Sequence, residues 1–281
     1  MRGISHIQGP LGTTRIVGVG DDLVEAMDLN LASHAAHLHP TVAGATVYEP
    51  GDILIADSGL DDDTFNLVCR ARLAPHTAPA RLEEILATVC AAGRPFSWWV
   101  APTSTPSNLG ELLRARGVRP SETELAMTAP MTEIPPPTQR AVLTVVTVTN
   151  REQLRDYADL MARNWTPPSS AVFDYFDAAG SAILSGECAS TFVVGYRAGE
   201  PVAGAEIHLA AGVAGLYGVV TLEDHRRQGY GTAVTLAAID HARTEGAERV
   251  VLQASEDGAP VYERIGFTPV GTYTEYALRR G

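Results

Sequence analysis

A single stretch, Leu216-Tyr-Gly-Val-Val-Thr-Leu-Glu-Asp-His-Arg-Arg-Gln-Gly-Tyr-Gly-Thr-Ala233, decides how the second half of the chain folds. Its β-branched start predicts a strand, its polar middle a turn, and its end the beginning of a helix. Gly229 and Gly231 lack a β-carbon and can adopt positive φ, so the backbone can close around an anion. The free N–H groups and the dipole of a helix start favour negative charge there. The stretch therefore predicts a pyrophosphate site, with a plain strand-to-helix turn as the alternative.

The segments around this loop predict a layered α/β arrangement. Two helical patterns come before it, the second running through Phe173 and Phe176, and three β-rich runs then form an antiparallel meander. A long amphipathic helix closed by Gly246, a strand, a short helix and a last strand follow the loop. The predicted strands are 141–149, 191–197, 202–210, 216–222, 249–254 and 271–278. The helices whose bounds can be predicted are 151–164, 229–245 and 259–265.

A proline-rich segment precedes these elements and separates two similar halves. Its clustered prolines forbid helix and cannot donate to a sheet ladder, so we predict domains at 1–130 and 141–281 joined by a linker at 131–140. Tyr262-Glu-Arg-Ile-Gly-Phe267 parallels Leu113-Arg-Ala-Arg-Gly-Val118 in the first half. Because a helix, a turn and a strand precede both stretches in the same order, we infer a duplicated domain.

The composition restricts the partners of the protein. Thirty-three acidic residues against 21 arginines give a formal charge of -12, which repels nucleic acid and anionic membrane surfaces and favours a cationic small molecule. The three cysteines form no CxxC pair, and no apolar leader or membrane span is evident, so we expect a cytoplasmic protein. His34, His37 and His39 lack linked Cys, Asp or Glu ligands, so we predict no metal and interpret these histidines as solvated.

The loop and the second stretch together resemble the GNAT superfamily of acyltransferases. The family signature (Arg or Gln)-x-x-Gly-x-(Gly or Ala) is matched by Arg226-Arg-Gln-Gly-Tyr-Gly231, and Tyr-x-x-x-Gly-Phe by Tyr262 to Phe267. The resemblance covers residues 144–281. With the repeat, it implies two GNAT-like three-layer α/β domains, each with a mixed, mostly antiparallel sheet and helices on both faces, the N-terminal one degenerate.

The resemblance also implies acetyl-CoA as cosubstrate. The backbone of Val219 to Thr221 would pair with the pantetheine arm. The glycine loop, which runs from Arg226 to Thr232, would hold the pyrophosphate through Arg227 to Thr232. An N–H near Val219 would stabilise the oxyanion. Ser255 occupies a position at which many members have an asparagine beside the cofactor. The predicted cofactor-binding residues are Val219, Val220, Thr221, Arg226, Arg227, Gln228, Gly229, Tyr230, Gly231, Thr232 and Ser255.

Two side chains are predicted to be catalytic. Tyr262 stands where the family has a tyrosine beside the cofactor sulfur, and a donor there would protonate the leaving thiolate; core packing is the alternative. Glu206 shares one strand face with His208 and is the predicted base for the amine, with a solvated sheet face as the alternative. Tyr217 on the next strand is a further candidate.

The first half lacks both functional elements. Leu113 stands at the position that matches Tyr262 and cannot donate a proton, and the segment 69–79 contains no glycine for a phosphate loop. Trp98 and Trp99 are predicted to pack in the core or between the domains. We therefore expect this half to support the structure or to shape the substrate site.

The leading hypothesis is an enzyme that transfers an acetyl group to an amine of a small molecule by direct attack in a ternary complex. The alternatives are a protein N-terminal or side-chain acetyltransferase and a non-catalytic CoA-binding sensor. A longer acyl group is compatible with the same motifs. Specificity is expected in the loop Trp165–Ser170 with Phe173, Tyr175 and Phe176, because loops of this kind vary and carry function.

Overall fold

The computed structural model describes residues 21–137 and 142–278. The predictions made for the beginning of the chain and for residues 138–141 lie outside the described residues. The elements of the first half are α1 (Asp21–Ala36), β1 (Thr46–Tyr48), β2 (Leu54–Asp57), β3 (Leu67–Cys69), α2 (Ala78–Ala92), β4 (Phe96–Val100), α3 (Leu109–Arg114) and β5 (Pro120–Pro130). Those of the second half are β6 (Thr144–Thr147), α4 (Arg151–Ala162), α5 (Ser170–Ile183), β7 (Ser190–Arg197), β8 (Glu200–Ala210), β9 (Val213–Thr221), α6 (Tyr230–Thr244), β10 (Arg249–Ala254), α7 (Ala259–Glu263) and β11 (Thr268–Leu278).

The eleven strands in the described ranges form one sheet in the order β1-β2-β3-β4-β11-β5-β10-β9-β8-β7-β6. Among these strands only the pairs β3/β4 and β9/β10 are parallel, so the sheet is mixed and mostly antiparallel, as predicted. The second half repeats the pattern of the first: an antiparallel pair, a parallel pair and a further antiparallel pair follow in the same order. This repetition supports the inferred duplication.

The two halves exchange their last strands. β11 lies between β4 and β5, and β5 lies between β11 and β10. Each half therefore completes the sheet of the other, for example through the pairs Tyr276↔Trp98 and Leu252↔Met127. Part of the predicted linker is also buried, because Met131 and Ile134 are 6% and 4% exposed in the core beneath α6. The division into domains stays a prediction, and the sheet is continuous across it.

Helices cover both faces of the sheet in the second half. α4 and α5 pack on the face that carries Phe192 and Val194, and α6 packs on the opposite face against Val193 and Ile207. Alternation of side chains along each strand explains the division. The three-layer prediction is confirmed for this half. None of the helices within 21–137 and 142–278 has the length and apolar character needed to cross a bilayer.

Helix α1 of the first half packs on β8 and β9 of the second. Asn30 is fully buried, and its Nδ2 donates to the carbonyls of His208, Ala210 and Val213 at 3.1–3.2 Å. Its Oδ1 accepts a hydrogen bond from the Tyr217 hydroxyl at 2.7 Å. A buried amide with all these partners fixes both the position and the rotation of α1.

Candidate active site

A cleft opens where β9 and β10 diverge. The two parallel strands pair only at Ala214↔Val250 and Gly215↔Val251. Beyond these pairs, β9 continues beside β8 while β10 continues beside β5. The backbone edge of β9 is therefore open to a ligand that adds to it as an extended strand.

A β-bulge interrupts β9 at the mouth of this cleft. The register with β8 skips Gly218 and Val219 opposite Ala205. Gly218 has φ +53°, and a β-carbon on it would lie 2.1 Å from the Tyr157 hydroxyl oxygen, so only glycine fits. Bulges leave one residue without a ladder partner. The oxyanion donor near Val219 stays a prediction, located at this interruption.

The glycine loop connects β9 to α6. Arg226 Nε donates to the Thr221 carbonyl at 3.1 Å, Arg227 has φ +61°, and Gly229 at the N-cap has φ +77°. The prediction that Gly231 uses a positive φ is wrong, because its φ is not positive. Its role is close approach instead, because a β-carbon on it would lie 3.0 Å from Thr221 Oγ1.

The other loop residues differ in what they offer a ligand. The Tyr230 side chain is 3% exposed and packs in the core, which leaves only its backbone for the loop. The Gln228 side chain is exposed and donates to the Asp224 carbonyl at 3.4 Å. Thr232 lies half-buried in the first turn of α6. The N–H groups of this first turn have no partner within the helix.

A cleft of about 940 Å³ joins the loop, the open strand and residues of the first half. Eight predicted site residues line it, and the other five belong to the loop beside it. The lining residues are Val219, Val220, Thr221, Arg226, Gly231, Ser255, Tyr262 and Glu206, and the neighbouring ones are Arg227, Gln228, Gly229, Tyr230 and Thr232.

Tyr262 faces this cleft from α7. Its ring packs edge-on against Phe267, with 5.8 Å between the centroids, and its hydroxyl has no hydrogen-bond partner among the residues described. Burial and the nearby Glu124 raise the pKa of Tyr262 to about 12, so the hydroxyl carries its proton at neutral pH. Ser255 lines the cleft too, but its Oγ accepts a hydrogen bond from the Gly258 N–H at 3.3 Å, in the turn that precedes α7.

Glu206 is not on a solvated face; it is only 6% exposed. His34 Nε2 lies 3.1 Å from Glu206 Oε1, which is an ion-pair distance, although no donor in the described part of the chain makes a hydrogen bond of regular geometry to this oxygen. Burial alone would raise the pKa of the Glu206 carboxyl. Interactions with His34, Ser190 and His37 outweigh burial and lower the pKa to about 2.

The interpretation of the three histidines as solvated is wrong. His34 is partly covered and lines the cleft, His37 Nε2 bonds to Ser190 Oγ at 3.1 Å, and His39 is 1% exposed. Burial lowers the pKa of His37 and His39. His208 also bonds to Ser190, and burial, with the neighbouring histidines, lowers its pKa to about 3.

The sequence did not reveal that His34 and His37 line the cleft. The two residues are three positions apart, His34 in the last turn of α1 and His37 in the turn that follows it, and that spacing was the available signal. Their approach to Glu206 depends on how α1 packs across the sheet, and no local pattern encodes that packing. No group of His, Cys, Asp or Glu side chains in 21–137 and 142–278 is arranged to hold a metal ion.

Residues of the first half also contact the predicted specificity loop and the aromatic residues that follow it. Phe65 stacks on Tyr175 with 3.9 Å between ring centroids, and Asp62 accepts a hydrogen bond from Ser169 Oγ at 2.6 Å. Trp165, Tyr175 and Phe176 line the cleft. Phe173 does not, and packs instead beside the core of α4 and α5. Trp98 is fully buried in the first-half core, as predicted, whereas Trp99 lines the cleft.

A second acidic group lies in the cleft near Tyr262. Glu122, Glu124 and Glu275 line it on the paired strands β5 and β11. Glu275 accepts a hydrogen bond from Ser97 Oγ. Burial, together with the charges of Glu122 and Glu275, raises the pKa of Glu124 to about 7.

Glu124→Gln is expected to stabilise the protein at pH 8 and to have no such effect at pH 4. Because the folded-state pKa of Glu124 lies above the ordinary value of 4.5, the folded state binds an extra proton between pH 4.5 and 7, and stability falls as the pH rises through this window. The loss is at most roughly 3 kcal/mol. Denaturant unfolding at both pH values measures the change in the free energy of unfolding, with Glu187→Gln, a change of an exposed glutamate outside the cleft, as control. Equal stabilisation at pH 4 and pH 8 would contradict the assignment.

Comparison with known proteins identifies the fold. A GCN5-related N-acetyltransferase from Kribbella flavida matches with a TM-score of 0.67 at 22% identity, over 91% of this chain and 96% of that one. A tandem GNAT protein from the clavulanic acid biosynthesis pathway matches with a TM-score of 0.59 at 13% identity, over 91% and 93%. At such identities the likeness establishes the fold alone. The chain has the tandem GNAT fold, with two GNAT-like domains.

The sequence comparisons define the family of the second half. Residues 152–267 match the model of the acetyltransferase (GNAT) family. The uncharacterized N-acetyltransferase YobR of Bacillus subtilis is 35% identical over 72 residues, which are 25% of this chain and 29% of that protein. The chain thus matches less than a third of the length of its curated relatives. Over residues 152–267 the chain is therefore similar to the GNAT family of acetyltransferases.

Proposed function

We propose that the protein is an N-acetyltransferase that moves an acetyl group from acetyl-CoA to an amine of a small molecule. The observation that carries the proposal is that the bulged β9 edge, the start of α6 and Tyr262 all line one cleft. An extended thioester arm can pair with the open strand, an anionic group can lie at the helix start, and a proton donor faces the same space.

The residues of the cleft fit acetyl-CoA. Gly231 approaches Thr221 so closely that a β-carbon would fill the space beside the helix start. The dipole of α6 and the exposed Arg226 and Arg227 add positive potential for a pyrophosphate. The β9 bulge supports an oxyanion site near Val219. Tyr262 supplies the proton donor for a thiolate whose ordinary pKa is about 8.5.

The acceptor is proposed to be a cationic small molecule. Carboxylates line the cleft in two places, with Glu206 beside His34, and with Glu124 near Tyr262 and close to Glu122 and Glu275. The net charge of -12 adds long-range attraction for cations. Phe65 of the first half stacks on Tyr175 at the cleft, so residues of both halves are proposed to contact the acceptor. The expected cytoplasmic location stays a prediction.

Thiol release tests the proposal directly. The protein is incubated with acetyl-CoA and, one at a time, ethanolamine, putrescine, glucosamine, lysine and a peptide with a free N-terminus, while free CoA is measured against an enzyme-free blank. We expect release with at least one of the small amines and an acetylated product of matching mass. Release with the peptide alone would indicate a protein acetyltransferase. Tight CoA binding without release for any amine would indicate a sensor. Propionyl-CoA in the same assay tests a longer acyl group.

A further inference from the structure

Three histidines surround the Glu206 carboxylate, and two of them have both ring nitrogens occupied. His37 uses Nδ1 for the carbonyl of His34 and Nε2 for Ser190. His208 uses Nδ1 for Ser190 and Nε2 for a serine hydroxyl of α1. His34 faces Glu206 through Nε2, and its Nδ1 bonds to no residue of the described ranges. Among the three, His34 alone keeps a ring nitrogen that can accept a proton.

The His34 ring is held in place at the cleft surface. It stacks on Tyr217 with 3.8 Å between the centroids and an interplanar angle of 11°. The Tyr217 hydroxyl is in turn bound by Asn30, so the stacked pair is tied to the buried anchor of α1. The side chain of His34 is 25% exposed and lines the same cleft as Tyr262. A fixed ring with an accessible edge is preorganised for proton transfer.

We propose that His34, a residue of the first half, is the base that takes the proton from the acceptor amine, and that Glu206 is the positioning residue that stabilises the resulting imidazolium. This inference rests on the proposed N-acetyltransferase function. The first half is then part of the catalytic machinery, although it has no phosphate loop and no tyrosine at the position of Tyr262.

The charges around His34 favour this division of roles. The groups that face it are Glu206 and His208 on β8, Tyr217 on β9, and His37 in the turn that follows α1. Two of these, His37 and His208, stay neutral because burial lowers their pKa. Glu206 is a weak base at neutral pH, because its pKa is lowered to about 2, but it is a strong counter-ion. A base works best when its pKa lies near the operating pH, and imidazole is the side chain suited to that range.

The acceptor, bound as an ammonium, first releases one proton to solvent. Its neutral nitrogen then attacks the thioester carbonyl carbon, a carbon–nitrogen bond forms, and His34 Nδ1 receives the second proton that the nitrogen loses. The carbonyl then re-forms as the carbon–sulfur bond breaks, and Tyr262 donates its proton to the departing sulfur. The products are the amide and the free thiol of CoA. Water in the cleft returns the proton from His34 and restores the one on Tyr262, so no further reactant is needed.

The test compares pH profiles of thiol release, with acetyl-CoA and the amine of the panel that turns over fastest. His34→Gln keeps hydrogen-bonding capacity but cannot act as a base. We expect kcat to fall roughly 10²-fold with the KM for acetyl-CoA nearly unchanged, and the acidic limb of the kcat/KM profile to disappear. Glu206→Gln should lower the plateau value of kcat/KM and retain the acidic limb of its pH profile. His76→Gln, a change of an exposed histidine outside the cleft, is the matched control and should behave as the wild type.

Chemical rescue separates a base from a structural residue. Adding imidazole to His34→Ala should restore part of the lost turnover, which a purely structural role of the ring would not allow. Wild-type turnover with an unaltered profile in His34→Gln would overturn this inference alone, as would loss of the acidic limb in Glu206→Gln with its retention in His34→Gln. A wild-type protein that releases no thiol with any amine would overturn the proposed function itself, and this inference with it.

Discussion

Tyr262→Phe is expected to lower turnover roughly 10²-fold or more while leaving the affinity for acetyl-CoA nearly unchanged. The change keeps the ring and its packing on Phe267 and removes only a hydroxyl that faces the cleft. Burial and Glu124 raise the pKa of Tyr262 to about 12, so the donor stays protonated from neutral to moderately alkaline pH. Turnover by thiol release and affinity by calorimetry measure the two expectations separately.

A matched control distinguishes chemistry from packing. Tyr273 is fully buried and does not line the cleft, so Tyr273→Phe makes the same change where no leaving group can reach. It should leave turnover at the wild-type level. If Tyr262→Phe acetylates its acceptor at the parental rate across neutral and alkaline pH, Tyr262 has no part in the mechanism and solvent protonates the thiolate.

Gly231→Val is expected to weaken acetyl-CoA binding roughly 10²-fold or more, which equals about 2.8 kcal/mol at 1.4 kcal/mol per tenfold. Gly231 is in the first turn of α6, and a β-carbon on it would already lie 3.0 Å from Thr221 Oγ1. The valine methyl groups would occupy the space between the helix start and the end of β9, where the pyrophosphate is proposed to bind. Calorimetric titration with acetyl-CoA gives the affinity, and circular dichroism verifies the fold.

Two further variants show whether the effect is local. Gly231→Ala adds a single carbon against a hydroxyl that can rotate, so its effect should be smaller than that of valine. Thr244→Val places the same side chain at the exposed opposite end of α6 and should leave affinity unchanged. Unaltered affinity in a folded Gly231→Val protein would show that the cofactor binds elsewhere.

The sequence predicted the local elements of the second half well. Strand β10 has the predicted bounds, and α6 begins one residue after its predicted start, because periodicity and glycine punctuation are local signals. The exchange of β5 and β11 was not predictable in this way. The pair Thr128↔Thr268 joins residues that are far apart in sequence, and no local pattern specifies which strand pairs with β5.

The candidate site likewise contains residues that local motifs revealed and residues that only tertiary packing brings together. Tyr262 and the loop at 226–232 were identified because each motif is a short contiguous pattern, and their catalytic and binding roles stay predictions. His34 was misinterpreted as solvated because its environment is made by β8 and β9, which are remote in sequence. The only local sign was its spacing from His37. Tertiary packing of α1, anchored by Asn30, decided the outcome.

The exchanged strands also govern how the chain folds as it leaves the ribosome. β4 has β3 on one side, and its other neighbour, β11, is synthesised after every other described strand. Until then, β4 and β5 each present an unpaired edge, which is a template for association with other chains. We therefore expect the first half to complete its sheet only after the second has been translated, unlike domains that fold one after another. Because β11 pairs with both β4 and β5, we expect its addition to complete the sheets of both halves together.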